Sequence, residues 1–346
     1  MEKVKVLIWG FGAMGSGMAS MLLKKEGVEI VGICDAHPDR VGKNFKDVLN
    51  VTSNHPNVVI NKDIDEVIAG AKADVALLAT DSFTKNAYDK IVKLLEKKIN
   101  VVSTAEEMAY PYVNEPELAK KMDEIAKANG VSVLGTGINP GLIMDLLAVC
   151  LTGCMEEVDH VTCRRVNSLS PFGPAVMEEQ GVGMELDTFN ELNAKGELAG
   201  HVGFRESVGM MAAALGFKVD QFEQQMKPIV TDVDRKSPYG FAAAGNLAGV
   251  NMTAQGYENG VEKFDMQHPQ QIEPQLGGVD TGDYIVIKGT PEVNMAITPE
   301  VDGGIGTIAM CVNMIPHVIN SDAGLKTMID LPVPRAIMGD MRELIK

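Results

Sequence analysis

Two adjacent carboxylates, Glu106 and Glu107, stand in the otherwise apolar stretch STAEEMAYP at 103–111, directly after a run that reads as a strand, NVVSTA at 100–105. Neighbouring side chains at a strand end cannot point the same way. One is expected to face a cleft while the other packs or caps a helix start. Burial disfavours a charged carboxylate and pushes its pKa up toward neutrality, the property a general acid/base needs. A second constellation is GFGAMG, in which Gly10, Gly12 and Gly15 have the G-x-G-x-x-G spacing. The first glycine permits a tight turn, the second lets the backbone approach a diphosphate, and the third lets a helix pack closely on its strand. Phe11, Ala13 and Met14 complete this loop, whose backbone N–H groups open a helix at the positive end of its dipole. The chemistry these residues could do is hydride transfer to a bound dinucleotide, assisted by a carboxylate base.

The elements that must hold them follow from periodicity. VKVLIW at 4–9 reads as a buried strand, and the helical MASMLLKKE follows the glycine loop. VEIVGIC at 28–34 is a second strand ending at Asp35, whose carboxylate suits the adenosine ribose hydroxyls and favours NAD. Arg40 offers a partner for a 2′-phosphate and His37 a further donor, so NADP use stays open. Further strands are expected at VVI (58–60), DVALLAT (74–80), NVVSTA and VSVLGTG (131–137). Helices are expected over 83–98 and over ELAKKMDEIAKA, the latter capped by Asn114 with Glu117 and stopped at Asn129-Gly130. Such alternation predicts an α/β fold, a doubly wound parallel Rossmann sheet over 1–140. Thr80, Asp81 and Ser82 close one strand at its carboxyl end, where ligands sit in such sheets. Asn139, in GTGINPGLIMD, is a candidate to hold the nicotinamide amide or to order the domain junction.

Residues 141–303 read as an α+β substrate and dimerisation domain with a largely antiparallel or mixed sheet, and 304–346 as a helix and tail returning to the Rossmann domain. DHVTCRRVNSL (159–169) is a strand on which only one of Arg164 and Arg165 can face inward, and an inward arginine suits a substrate carboxylate. The segments 170–200 and 266–283 read as long functional loops. Glu178, His201 and His268 lie near them, and His268 is carried forward as a substrate contact.

Bulk composition narrows the function. Acidic residues outnumber basic ones, 47 to 31, for a net charge of −16, which repels nucleic acid and suits a cationic substrate such as a diamine. Five cysteines without a CxxC pair argue against a disulfide framework and read as buried free thiols. No His/Cys/Asp cluster has metal-ligand spacing, so no metal is expected, and no hydrolase elbow or Walker motif occurs. No apolar run is long enough for a membrane span, and the first residues lack the pattern of a signal peptide, so a cytoplasmic location is expected.

GFGAMGSGMA, STAEEMAYP, GTGINPGLIMD and the closing VNMIPHV together resemble the 2,4-diaminopentanoate dehydrogenase family and its amine dehydrogenase relatives, over essentially the whole chain. The broader fold resembles dihydrodipicolinate reductase and diaminopimelate dehydrogenase, although the reductase's catalytic histidine pair is absent. The resemblance implies NAD(P)-dependent oxidative deamination of 2,4-diaminopentanoate to 2-amino-4-oxopentanoate and ammonium, as in ornithine fermentation. It also implies a glutamate base within the Glu106-Glu107 pair, use of NAD, NADP or both, and a homodimer. Two alternatives stay open on the residues alone: a dehydrogenase for a homoserine-type alcohol or aldehyde, and a non-catalytic dinucleotide sensor.

Overall fold

The computed structural model describes residues 2–346. The chain divides into two compact units, Met1–Leu142 with Asp302–Lys346, and Ile143–Val301. The first begins with β1 (Val4–Trp9), α1 (Ala13–Leu22), β2 (Val28–Cys34), α2 (Phe45–Leu49), α3 (Ile64–Gly70), β3 (Val75–Leu78), α4 (Thr84–Glu96) and β4 (Asn100–Ser103). A 3₁₀ turn at Glu106–Ala109, α5 (Pro116–Asn129) and β5 (Ser132–Gly135) follow. The second unit holds α6 (Leu146–Thr152), β6 (Glu157–Ser168), α7 (Pro174–Glu179), α8 (Leu186–Lys195), α9 (Phe204–Leu215), β7 (Gln221–Val230), β8 (Arg235–Lys236), β9 (Phe241–Ala242), β10 (Leu247–Glu258), β11 (Val261–Gln271), β12 (Gly282–Thr290) and β13 (Val293–Ile297). The chain then returns to the first unit as α10 (Gly303–Asn313), α11 (Ile315–Asn320) and β14 (Gly324–Lys326).

The first unit is built on a parallel sheet of order β14-β5-β4-β3-β1-β2. Its strands are continuous apolar runs because helices cover both faces. Val6, Leu7, Ile8, Val75–Leu78, Val101 and Leu134 are all buried. On α4, Ala87, Ile91, Leu94 and Leu95 fall on one helical stripe and are buried beneath it. Three expectations are corrected here. VVI at 58–60 is too short to hold a sheet edge and makes only isolated bridges, Val59 to Asn44 and Asn61 to Cys34. The sixth strand is β14, supplied by the C-terminal segment. The cap of α5 is Glu115 rather than Asn114, because Pro116 takes the first turn, where its missing N–H is harmless.

The second unit's sheet has the order β13-β12-β6-β11-β10-β7, with β6 and β11 parallel and every other pair antiparallel, the mixed sheet expected. Strict alternation sorts its residues onto two faces. Val161, Cys163, Arg165, Phe264, Met266 and His268 are buried, on the side where α6 and α9 pack. Thr162, Asp265 and Gln267 alternate with them and are half-buried, and Arg164 is exposed. Four further expectations are corrected. Residues 170–200 are not a bare loop but carry α7 and α8, and β11 continues through Gln271, so His268 sits on a central strand. The helix expected after Asn139 starts only at Leu146, whose N–H is capped by Asp145 at 2.6 Å. Of the thiols, Cys34, Cys163 and Cys311 are buried as expected, whereas Cys150 and Cys154 are exposed.

Candidate active site

The glycine loop lies between the carboxyl end of β1 and the N-terminus of α1. Gly10 has φ +92°, and a Cβ on it would collide with the Ala79 carbonyl. A Cβ on Gly15 would collide with the Gly10 carbonyl, so the helix can approach the strand only without a side chain there. Gly12 differs: a Cβ there meets nothing within 4 Å, so the loop opens at this point onto free space. First-turn N–H groups of a helix lack partners within it, and those of Ala13, Met14 and Gly15 belong to the turn beside this space. The loop therefore fits the diphosphate of a dinucleotide.

Asp35 follows β2 and is 8% exposed. It accepts hydrogen bonds from the Phe11 and His37 backbone N–H groups, the latter at 2.7 Å, and the Arg40 guanidinium lies 3.3 Å from its Oδ2. Phe11 is itself buried and donates its amide to Asp35, so its part in the loop is structural. Thr80 packs against the Gly10 position. Asp81 receives the Thr80 hydroxyl and pairs with Lys90 at 2.6 Å, while the Ser82 carbonyl accepts the Glu107 N–H at 3.1 Å. Asn139 precedes a cis peptide to Pro140. Beside it, the Thr307 hydroxyl of α10 accepts the Ile138 N–H at 3.2 Å.

The two glutamates of the 3₁₀ turn part company. The Glu107 carboxylate accepts the Thr84 N–H at 2.8 Å and so caps α4, whose own N-cap residue, Phe83, has no side chain able to do so. Glu106, half-buried, begins the turn after β4. Sequence reasoning missed the residue that seats this turn. A Cβ on Gly135, in β5, would collide with the Met108 backbone, so only glycine lets residues 106–109 lie against the strand. The signal was the glycine ending an apolar run, which by itself names no partner.

In the second unit, Arg165 faces inward and Arg164 outward, where it lies 5.8 Å from the Tyr284 ring. Arg165 is paired at 2.7 Å with Asp283, which is fully buried. Its guanidinium also reaches the Val301 carbonyl, and the Val301 N–H returns to Asp283 at 2.9 Å. Burial pushes the Asp283 carboxyl up despite the nearby arginine. His268 contacts Asn167 Oδ1 through Nε2 at 2.9 Å, and its ring meets that of His201 edge-on at 4.7 Å. Burial, with the Arg165 charge, pushes His201 down to about 3, and burial, His201 and Arg165 hold His268 well below the ordinary histidine range. Both rings are neutral at physiological pH. Two surface grooves, of about 520 and 430 Å³, lie elsewhere in the first unit, one at the N-terminal ends of β1, β3 and β4 and one beside α11, and neither is lined by a candidate catalytic, cofactor or substrate residue of the sequence. Among the described residues, no group of three or more His, Cys, Asp or Glu could hold a metal, and no helix is long and apolar enough to cross a membrane.

A parallel doubly wound sheet carrying this glycine loop, joined to a mixed-sheet second unit, defines an NAD(P)-dependent oxidoreductase with a dihydrodipicolinate reductase-like fold. Residues 4–108 match the dihydrodipicolinate reductase N-terminus, and residues 142–346 match the 2,4-diaminopentanoate dehydrogenase C-terminal domain. The chain is 62% identical to 2,4-diaminopentanoate dehydrogenase of Acetoanaerobium sticklandii, over 100% of this chain and 98% of that protein. It is 23% identical to an amine dehydrogenase of Streptomyces virginiae, over 96% and 98% of the two chains. The structure of an amine dehydrogenase from Mycobacterium smegmatis superposes with a TM-score of 0.87 at 26% identity, covering 97% of this chain and 98% of that one. The chain belongs to the 2,4-diaminopentanoate dehydrogenase family.

Proposed function

We propose that this enzyme oxidises the 4-amino carbon of 2,4-diaminopentanoate, releasing ammonium and 2-amino-4-oxopentanoate, with Glu106 as its acid/base. The observation that carries the residue assignment is the position of Glu106, half-buried at the start of the 3₁₀ turn that follows the carboxyl end of β4, while Glu107 beside it accepts the Thr84 N–H and caps α4. An ammonium has no lone pair to drive hydride departure, so a proton must first leave it. A carboxylate near the amine attracts the cation and then takes that proton. Bound on the glycine loop, a nicotinamide dinucleotide supplies the hydride acceptor. Loss of hydride from the substrate carbon gives an iminium, which Glu106 converts to the ketone by activating water. In sum, the protonated amine, water and oxidised cofactor become ketone, ammonium, reduced cofactor and a proton.

Gly10, Gly12 and Gly15, with the backbone of Ala13 and Met14, hold the diphosphate, and Phe11 fixes the loop by donating its N–H to Asp35. Thr80, Asp81, Ser82 and Asn139 frame the nicotinamide half. Asp35 retains acceptor capacity for a ribose hydroxyl, while Arg40 beside it offers charge to a 2′-phosphate. We therefore assign use of both cofactors, with NAD favoured. The second unit supplies substrate recognition through His268, with Arg165 as the fixed charge behind it. Arg164, exposed over Tyr284, is left for the outer face.

That outer face of the sheet, half-buried and polar at Thr162, Asp265 and Gln267, is assigned to a second copy of the chain in a cytoplasmic homodimer. Light scattering should return the mass of two chains, and a monomer mass would remove the assignment. Reduced-cofactor formation from 2,4-diaminopentanoate with NAD and with NADP, beside homoserine, tests the reaction itself. Turnover should occur with the diamine and not with homoserine, and the reverse reaction should require ammonium. Glu106→Gln should lower kcat by about 10²–10⁴-fold, whereas Glu107→Gln should cost about 1 kcal/mol of stability and little turnover. Full activity in Glu106→Gln would transfer the role elsewhere.

A further inference from the structure

Of the five polar atoms of the second unit that are buried without a hydrogen-bond partner among the described residues, three are Gln180 Oε1, His268 Nδ1 and Gln270 Nε2. Their residues are 4%, 4% and 5% exposed. They belong to one neighbourhood. His268 and Gln270 are two apart on β11, facing the same side of the sheet as Asn167, which pairs with Gln270 in register. Gln180, after α7, donates its Nε2 to the Gly200 carbonyl at 2.9 Å, and the next residue, His201, stacks on His268.

The neighbours fix what each atom offers. The Asn167 amide nitrogen is turned to the Ser168 carbonyl, so its Oδ1 faces His268 and the histidine donates through Nε2. Nδ1 then carries a lone pair and is an acceptor. Gln180, donating through Nε2, likewise presents an acceptor oxygen, while Gln270 presents a donor. Arg165 and Asp283 cancel each other's charge close by. The wall thus has no net charge, two acceptors and one donor. A buried polar atom left unpaired has given up its hydration with nothing in exchange, so a ligand group that satisfies all three is strongly selected.

We infer that this wall reads the non-reacting end of the substrate, its α-ammonium and carboxylate together: His268 Nδ1 and Gln180 Oε1 accept ammonium protons, and the Gln270 amide donates to the carboxylate. A zwitterionic end is neutral overall and carries both donors and an acceptor. A simple alkyl amine offers none of these. The inference rests on the amine dehydrogenase reading and adds which part of the molecule is recognised and by which side chains.

The test compares 2,4-diaminopentanoate with two truncated substrates in the full-length enzyme: 4-aminopentanoate, which lacks the α-amino group, and butane-1,3-diamine, which lacks the carboxylate. In the wild type each truncation should lower kcat/KM by at least about tenfold, the equivalent of one unpaired atom. Gln270→Met, similar in volume, should raise KM about tenfold for the two carboxylate-bearing substrates and leave butane-1,3-diamine unchanged. Gln180→Met should raise KM for the two diamines and leave 4-aminopentanoate unchanged. Equal effects on all three substrates, or none, would mean that the glutamines only pack. Should a variant fail to fold, the wild-type series decides alone, because kcat/KM values within threefold of one another would overturn the inference. Absence of turnover with every amine, with the cofactor still bound, would instead sink the reaction assignment.

Discussion

The groups gathered at the carboxyl ends of β1 and β2 are backbone amides and one tethered carboxylate. On β6 and β11 they are side chains, buried and mutually bonded. In the first unit, Gly10, Gly12 and Gly15 act by what they lack, and the surrounding polar side chains, such as Asp81 with Lys90, lie partly in solvent. In the second unit, Arg165, Asp283, Asn167 and His268 have almost no exposure, and each depends on another for its charge or its proton. A backbone site tolerates change in most side chains but no added Cβ at two positions. A site of buried side chains tolerates no unpaired remainder, because the low-dielectric surroundings that strengthen each bond also penalise its loss. The first arrangement suits a cofactor recognised by its phosphates, the second a small polar substrate recognised group by group.

The largest effect that separates the two regions is on stability. Asp283→Ala leaves Arg165 charged and buried with only the Val301 carbonyl, and should destabilise the protein by about 3–5 kcal/mol, the usual penalty for breaking a buried pair. Asp81→Ala, in the first unit, removes a partly solvated partner of Lys90 and should cost under about 1 kcal/mol. Denaturant unfolding of the two variants checks this. Equal losses would mean that Asp81 belongs to a buried network as tightly coupled as that of Asp283.

The same contrast decides what was legible in the sequence. The glycine spacing, the alternation of strands and helices, and Asp35 at the end of β2 are local patterns, and the residues that carry them meet within one βαβ unit. Glu106 and Glu107 were found together, but that Glu107 caps a helix depends on Thr84, the first residue of α4. The pairing of Arg165 with Asp283 and of His268 with Asn167 spans more than a hundred residues and follows from strand register, which no single segment encodes. His268 was read as part of a loop because Gln267, Pro269, Gln270 and Gln271 dilute the apolar alternation of β11. Gln270 is buried on the same face as His268, Gln267 lies on the opposite face, and Gln271 accepts from Arg235 at 2.6 Å, contacts that no local pattern announces. In the first unit, VVI at 58–60 failed for the opposite reason, an apolar run too short to make more than isolated bridges.

A smaller effect sharpens the comparison by pH. His201 and His268 are neutral in the folded protein, with His201 down to about 3, while an unfolded histidine titrates near 6.5. Between those values the unfolded chain binds more protons than the folded one. Stability therefore rises with pH in that window, is complete above about 6.5, and is lost as the pH falls. Each histidine contributes a slope of up to about 1.4 kcal/mol per pH unit. Asp283, raised by burial, opposes this only within the carboxylate range. In the first unit, His55 and His317 are also lowered, but both are only partly buried and their contribution is correspondingly smaller. Hydrogen exchange at pH 7, 5.5 and 4.5 should show β6 and β11 losing protection before β1 and β3. His268→Asn should flatten that acid limb, because asparagine keeps a polar side chain without a titrating ring. Loss of protection first in the Rossmann sheet would mean that acid sensitivity resides in its carboxylates and that the buried histidine pair leaves the second unit no more fragile than the first.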